Sequence, residues 1–237
     1  MNFDLLNQNN RDYDRRSNRR RTMESTGYQL SQELPNYITL LIIDESGSMS
    51  GLRNATIESF NGMVGSILTD AKEIPNLVQH MNVYTFEGST ITERLALTTV
   101  KENASIQTLE YYPGGSTPLF DAIGTAVTKL ENIIHSERIS DDKIKVSVAI
   151  FTDGAENSSQ EYRLQEIQRM IARLKIKGWE FSYFGTEHRV EEMASQLHMD
   201  KVQRFQKTKT GLNETMASYS RENSMSKQSF FDKFNKE

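Results

Sequence analysis

The chain has 237 residues, with 28 Lys and Arg against 32 Asp and Glu, a formal net charge of -4 and no cysteine. This length suffices for one α/β domain with short extensions, and the charge does not favour nucleic acid as the main partner. The absence of cysteine rules out disulfides, thiolate metal sites and a cysteine nucleophile, and it is typical of a cytoplasmic chain.

The first 34 residues are polar and contain a basic cluster. Arg15, Arg16, Arg19, Arg20 and Arg21 lie in an Asn-rich stretch with few large apolar side chains. We expect a disordered extension over residues 1–34, with an arm that binds nucleic acid weakly, an acidic partner or a membrane surface as the alternative. No apolar stretch precedes a cleavage site, so the pattern is not that of a secretory signal.

After residue 35, short apolar runs alternate with helical periodicity. Residues 37–43 form the longest apolar run, which is too short to span a bilayer but typical of a strand buried on both faces. Apolar residues spaced three and four apart indicate the helices. In chain order we expect a strand at 37–43, a helix at 57–68, a hairpin of strands 82–86 and 91–97, a helix at 119–134, a strand at 145–151, a helix at 161–176, a strand at 178–184, a helix at 190–197, a strand at 202–205 and a helix at 212–219.

This alternation predicts an α/β fold of the doubly wound type. The expected sheet is central and mostly parallel, with one antiparallel edge strand and helices on both faces. The domain is expected over residues 35–222, followed by a polar tail over residues 223–237. The tail carries Phe230, Phe231 and Phe234. These side chains either pack back on the domain, which we favour, or form a short partner-binding peptide.

Three polar clusters point to a metal site. Residues 44–48 and 152–154 follow the two most apolar strands, and residues 114–118 open a helix. Working groups in such sheets gather outside the carboxyl ends of the strands, so the clusters meet if the strands are neighbours. They contain Asp44 and Asp153, several hydroxyls and no histidine. Hard oxygen ligands of this kind suit Mg²⁺, Mn²⁺ or Ca²⁺ and do not suit zinc.

The charge of such a site indicates a binding role. The first loop leads into the N-terminal end of a helix, whose dipole disfavours a cation, so the carboxylates must outweigh it. If only one Asp binds the ion directly, the metal keeps positive charge and accepts an Asp or Glu from another protein. No reaction is required.

The ordered set Asp44-x-Ser46-x-Ser48, Thr117 and Asp153 within Thr-Asp-Gly resembles the metal-ion-dependent adhesion site of von Willebrand factor A domains. The resemblance covers about residues 36 to 220, and the surrounding phrases are similar to those of small bacterial and bacteriophage members of the single-domain type. It implies that Ser46, Ser48 and Thr117 bind a divalent cation through their hydroxyls, with Mg²⁺ ahead of Mn²⁺ and Ca²⁺. Asp44 and Asp153 would bind it directly or through water.

Two points of the resemblance stay open. Ser116 is an alternative to Thr117, although the register of the following residues favours Thr117. Intracellular bacterial relatives often assist other machines, including AAA+ ATPases, so an AAA+ system is a candidate partner. The resemblance implies no membrane partner.

Two other functions compete with a metal-dependent protein-binding module. A Mg²⁺-dependent phosphatase or hydrolase would use Asp44 as phosphoryl acceptor, but Ser46 stands where haloacid dehalogenase-like enzymes carry a second Asp. The serines lack the glycine spacing of a nucleophile elbow, and residues 114–117 lack the lysine of a Walker loop. A scaffold of the same fold with an empty site is the third possibility. We therefore expect a binding module and not an enzyme.

Neighbouring polar residues are assigned structural roles. Glu45 is expected to be solvated or salt-bridged, and Glu156 and Asn157 to order the loop after Asp153. The four histidines never pair at ligand spacing, so surface or packing roles are expected for them.

Overall fold

The computed structural model describes residues 28–101, 104–186 and 190–236. The predicted basic arm at residues 15–21 lies outside this part of the chain. Within the described part, six strands and five α-helices alternate along the chain. The elements are β1 (Asn36–Asp44), α1 (Arg53–Glu73), β2 (Val78–Glu87), β3 (Thr90–Val100), α2 (Leu119–Glu137), β4 (Ile144–Phe151), α3 (Leu164–Ile176), β5 (Glu180–Gly185), α4 (Val190–Gln196), β6 (Lys201–Arg204) and α5 (Lys209–Phe234).

The strands form one sheet in the order β3-β2-β1-β4-β5-β6. Only the β2–β3 pair is antiparallel among the described strands, and it places β3 at one edge. β1 pairs in parallel with β2 on one side and β4 on the other, and β5 and β6 extend the parallel region. The predicted fold class, a doubly wound and mostly parallel sheet with one antiparallel edge strand, is confirmed.

β1 is one of the two central strands of the sheet, and all of its residues are buried. Successive side chains of a strand point to opposite faces, so Ile42 packs in one core layer and Ile43 in the other. The Ile42 layer also contains residues of α2, α3 and α4, and the Ile43 layer contains residues of α1 and α5. Helices thus cover both faces, as expected. None of the helices in the described residues has the length and hydrophobicity needed to cross a lipid bilayer.

α3 begins three residues later than predicted, for a local reason. The backbone N–H groups of Glu161 and Tyr162 donate to Asp121 Oδ1 at 2.9 and 2.7 Å, which holds this segment against α2 outside the helix. The following strand also starts late, because Gly178 has φ +84 and turns the chain out of α3.

The C-terminal helix extends beyond residue 222, where the end of the domain was predicted. α5 continues to Phe234, and its second half packs on the domain. Tyr37 Oη donates to Asn223 Oδ1 at 2.9 Å, and the ring of Phe230 lies edge-on to that of Tyr37 with centroids 6.3 Å apart. Lys227 is fully buried. Residues 223–234 therefore belong to a helix of the domain, which is held by polar side chains and by Phe230 and Phe231, two of the phenylalanines that were expected to pack back on the domain.

At the N-terminus, too, residues outside the predicted domain pack on it. Residues 28–34, assigned to the extension, contact the domain in the structure. Leu30 is buried, and Ser31 N donates to Asn36 Oδ1 at 2.8 Å. The rest of the predicted extension, residues 1–27, lies outside the described residues.

Candidate functional site

The three predicted polar loops meet at the carboxyl end of the central strands. β1 and β4 are neighbours with Ile43 opposite Phe151, so Asp44 and Thr152 leave the sheet side by side. Thr152 Oγ1 donates to Asp44 Oδ2 at 2.6 Å. The third loop is joined to the first by two backbone hydrogen bonds, from Gly47 N to Gly115 O at 3.1 Å and from Gly114 N to Glu45 O at 2.8 Å.

Hydrogen bonds connect four of the five predicted site residues. Ser46 N donates to Asp44 Oδ1 at 2.7 Å, and Ser46 Oγ lies 3.0 Å from Ser48 Oγ. Ser48 Oγ donates in turn to Asp153 Oδ1. The first loop is therefore bonded to the loop that follows β4 through its serine side chains.

The space beside Gly154 brings Thr117 into the same group. A β-carbon on Gly154 would lie 3.1 Å from Thr117 Oγ1, 3.7 Å from Asp44 Oδ2 and 3.7 Å from Ser48 Oγ. Oxygen atoms of the first and third loops thus face one point on the second loop, which is open because residue 154 has no side chain. Thr117 Oγ1 is the nearest of these oxygen atoms to that point.

The group is buried except at one side. Asp44, Ser46, Thr117 and Asp153 are buried, whereas Ser48 is exposed. Burial raises the pKa of Asp44 to about 6, against the lowering effect of hydrogen bonds from Thr152 and Ser46. A carboxylate in this environment is stabilised by a nearby positive charge. The exposed side gives access to solvent at Ser48.

The donor set fits a hard divalent cation. Adjacent ligands of an octahedral Mg²⁺ with bonds of about 2.1 Å lie about 3.0 Å apart. The Ser46 and Ser48 hydroxyls are 3.0 Å apart. In the described part of the chain, no three His, Asp or Glu side chains are grouped to hold a metal. An ion at this edge would therefore take hydroxyls together with the two carboxylates.

Polar contacts of Asp44 and Glu45 with β3 and with residues 111–112 hold the first loop in place. Glu45 is salt-bridged, as one of the two expectations had it: Arg94 Nη2 lies 2.6 Å from Glu45 Oε2, and Tyr112 N donates to Glu45 Oε1. Tyr111 Oη donates to the carbonyl oxygen of Asp44. Sequence reasoning missed Tyr111 and Arg94, because a lone Tyr or Arg in a loop or strand forms no pattern.

The loop after β4 is held by two residues that were expected to order it. Asn157 Oδ1 accepts a hydrogen bond from Thr117 N at 2.9 Å. Glu156 Oε2 accepts one from Phe120 N at 3.0 Å, at the start of α2. These contacts fix the third loop against the second.

A lysine was also missed. Lys207 Nζ lies 2.6 Å from Asp153 Oδ2. It comes from the loop between β6 and α5, in a polar stretch that resembles any solvated loop. Nothing in the sequence linked it to the candidate site.

Comparison with known proteins identifies the family. The model of the von Willebrand factor type A domain matches residues 40–231, and no curated protein matches the chain significantly. The chain is similar in structure to the vWF domain of the type V pili tip protein Mfa5 from Porphyromonas gingivalis, with a TM-score of 0.51 and 8% identity over 81% of this chain and 96% of that one.

Two larger proteins are also similar in fold. The pilus adhesin SpaC from Lactobacillus rhamnosus GG has a TM-score of 0.59 at 12% identity, and proximal thread matrix protein 1 from the mussel byssus has 0.54 at 12%. The matches cover 82% and 81% of this chain but only 30% and 47% of those chains. At these identities the structures show a shared fold. Together with the family match over most of its length, they show that the chain belongs to the von Willebrand factor type A domain family.

Proposed function

We propose that this domain binds another protein through a divalent cation. Asp44, Ser46, Ser48, Thr117 and Asp153 would hold the ion, with Mg²⁺ preferred over Mn²⁺ or Ca²⁺, and an Asp or Glu carboxylate of the partner would complete its coordination. The observation that supports this proposal is that oxygen atoms of Asp44, Ser48 and Thr117 face one point beside Gly154, with Ser48 also hydrogen-bonded to Asp153. The partner's carboxylate would approach from the side where Ser48 is exposed.

The charges of the group support binding in preference to catalysis. If only one of the two carboxylates binds the ion directly, the divalent cation keeps part of its positive charge. Hydroxyl ligands add geometry without charge. An ion held in this way keeps affinity for a further anionic oxygen, which a partner protein supplies.

The biological setting is part of the same proposal. The cysteine-free composition supports a cytoplasmic location. A bacterial or phage source and an AAA+ ATPase partner follow from the resemblance of the motifs, and they define which candidate partners to test first.

The proposal is tested by capture of partners from an extract of the source cells, identified by mass spectrometry. The wild-type chain is compared with Asp44→Asn in buffer with Mg²⁺ and in buffer with EDTA. We expect specific partners only with wild type and Mg²⁺. Asp142→Asn is the matched control, since Asp142 lies on an exposed turn before β4. Partners that persist with Asp44→Asn or in EDTA would contradict metal-dependent binding.

A further inference from the structure

A lysine side chain reaches a predicted metal ligand from solvent. Lys207 Nζ lies 2.6 Å from Asp153 Oδ2, and the exposed fractions of the two side chains are 45% and 0%. Asp153 Oδ1 accepts the hydrogen bond from Ser48 Oγ. Asp153 Oδ1 is therefore hydrogen-bonded to a neutral hydroxyl, while among the described residues Oδ2 has an ionic contact with Lys207 and no hydrogen bond.

Lys207 has room to leave this position. It lines a cleft of about 750 Å³ together with Ser48, Thr117, Asp153 and Met193. The loop that carries it ends at Thr208, whose hydroxyl accepts a hydrogen bond from Gly211 N at 3.0 Å and caps α5. The backbone beside Lys207 is thus fixed, while its long side chain has the freedom to swing into the open cleft.

The position of this charge has opposite consequences for the two states of the site. Without an ion, the ammonium compensates a buried carboxylate that lies near Asp44, and this contact favours the folded domain. With an ion, the same ammonium repels the divalent cation and competes for Asp153 Oδ2. The ion-free site therefore favours the Lys207 side chain beside Asp153, and the ion-bound site favours it away from Asp153.

We propose that Lys207 is an internal competitor of the divalent cation. It neutralises Asp153 when no ion is bound, withdraws into the cleft when the ion binds, and thereby sets the metal affinity below the value that the five ligands alone would give. This inference rests on the proposed function, because it requires that the site binds a divalent cation.

The test is a calorimetric titration of the full chain with Mn²⁺. We expect Lys207→Gln to bind Mn²⁺ on the order of tenfold more tightly than wild type, since a partly screened charge pair no longer competes. Lys209→Gln is the matched control. It removes the same charge two residues away, but Lys209 pairs with Glu58 at 2.9 Å, so its Mn²⁺ affinity should equal that of wild type.

Thermal unfolding separates this role from a purely structural one. In EDTA, Lys207→Gln should have a lower Tm than wild type, because Asp153 loses its counter-charge. In saturating Mn²⁺ this difference should disappear, because the ion replaces that charge in the variant and displaces the ammonium in wild type. Lys207→Met, which keeps the aliphatic stem of the side chain, repeats both measurements in case the glutamine disturbs folding.

Each other outcome overturns the inference. Equal or weaker Mn²⁺ binding by both Lys207 variants, or an equal gain in Lys209→Gln, would show that Lys207 does not compete specifically, while the metal-dependent function would stand. If wild type and variants all fail to bind Mn²⁺, the proposed function fails as well.

Discussion

Gly115 holds the third loop in a conformation that other residues avoid. Its φ is +63, and a β-carbon there would lie 2.8 Å from Gly88 N and 2.9 Å from Gly88 Cα in the turn between β2 and β3. Its carbonyl oxygen accepts the hydrogen bond from Gly47 N that joins two loops of the site. The backbone conformation of Gly115 therefore helps to position the loop that contains Thr117.

Replacing Gly115 by Ala should destabilise the domain by about 2 kcal/mol, through backbone strain and the contact with Gly88. Urea denaturation measures this loss, and Mn²⁺ affinity should fall with it. Gly114→Ala is the control, because a β-carbon on Gly114 would meet no atom within 4 Å. Equal stabilities of the two variants would show that the loop adjusts and that the strain argument is wrong.

His80 shows how burial makes a residue sensitive to pH. The ring is buried in β2, with Nε2 3.2 Å from Asn36 Oδ1 and Nδ1 3.2 Å from Thr99 Oγ1. This is a packing role, one of the two expected for the histidines. Burial lowers the pKa of His80 to about 4. The unfolded chain has a histidine pKa of about 6.5, so it binds more protons than the folded chain between pH 4 and 6.5.

Stability should therefore fall as the pH falls through that window. The contribution of His80 is about 3 kcal/mol between pH 6.5 and 4. Replacement by Gln should reduce the slope of the free energy of unfolding against pH in this range, measured by urea denaturation at several pH values. His135→Gln, at an exposed position of α2, should leave the slope unchanged. An unchanged slope in His80→Gln would contradict the account.

At the scale of the elements, α5 is joined to α1 by a buried ion pair. Lys227 Nζ lies 2.7 Å from Asp70 Oδ2, and both residues are buried. Ser224 Oγ donates to the same oxygen at 2.9 Å, and the ammonium lies 5.8 Å from the centroid of the Tyr37 ring. Burial lowers the pKa of Lys227, and Asp70 opposes that effect. The pair fixes the second half of α5 beside β1.

Breaking this pair should cost more than replacing it. Asp70→Ala leaves a buried ammonium without its counter-ion, with an expected loss of about 3–5 kcal/mol in the free energy of unfolding. Asp70→Leu with Lys227→Met should recover most of that loss, since an apolar pair needs no compensation. Chemical denaturation compares the three proteins. A double variant as unstable as the single one would show that the contribution comes from packing of the side-chain shapes.

The same junction explains where sequence reasoning about elements succeeded and failed. Residues 37–43 and 145–151 were predictable as strands because continuous apolar runs leave few alternatives. The second half of α5 was not, since buried Asn223 and Lys227 break the apolar periodicity while making specific polar contacts. Propensity and pattern do not reveal a polar residue's partner when that partner lies in a distant element.

At the scale of the whole molecule, the candidate site depends on topology. Asp44 and Asp153 were predictable as neighbours, because parallel central strands end at one edge and the motifs follow them in order. Thr117 came from the resemblance of its loop to the family motif, with Ser116 as the alternative. Lys207 was not predictable, since it approaches Asp153 from beyond β6, and only the folded chain brings its loop across that edge.

An ion bound at this edge would act on the domain as a whole. It would join the loops that follow β1 and β4 to the loop that precedes α2. β1 and β4 contribute side chains to both core layers, and α2 contributes to one of them. A ligand that binds the folded state and not the unfolded state increases the free energy of unfolding of the whole domain.

The number of Mn²⁺ ions bound per chain, measured by electron paramagnetic resonance, tests the central claim most directly. The wild-type chain should bind one Mn²⁺ that is released by EDTA. A variant with Ser46→Ala and Thr117→Val, which removes two hydroxyls while keeping both carboxylates, should keep its far-UV circular dichroism and lose that ion. No bound Mn²⁺ in the wild type, or undiminished binding by the variant, would contradict the claim that these oxygens form a metal site.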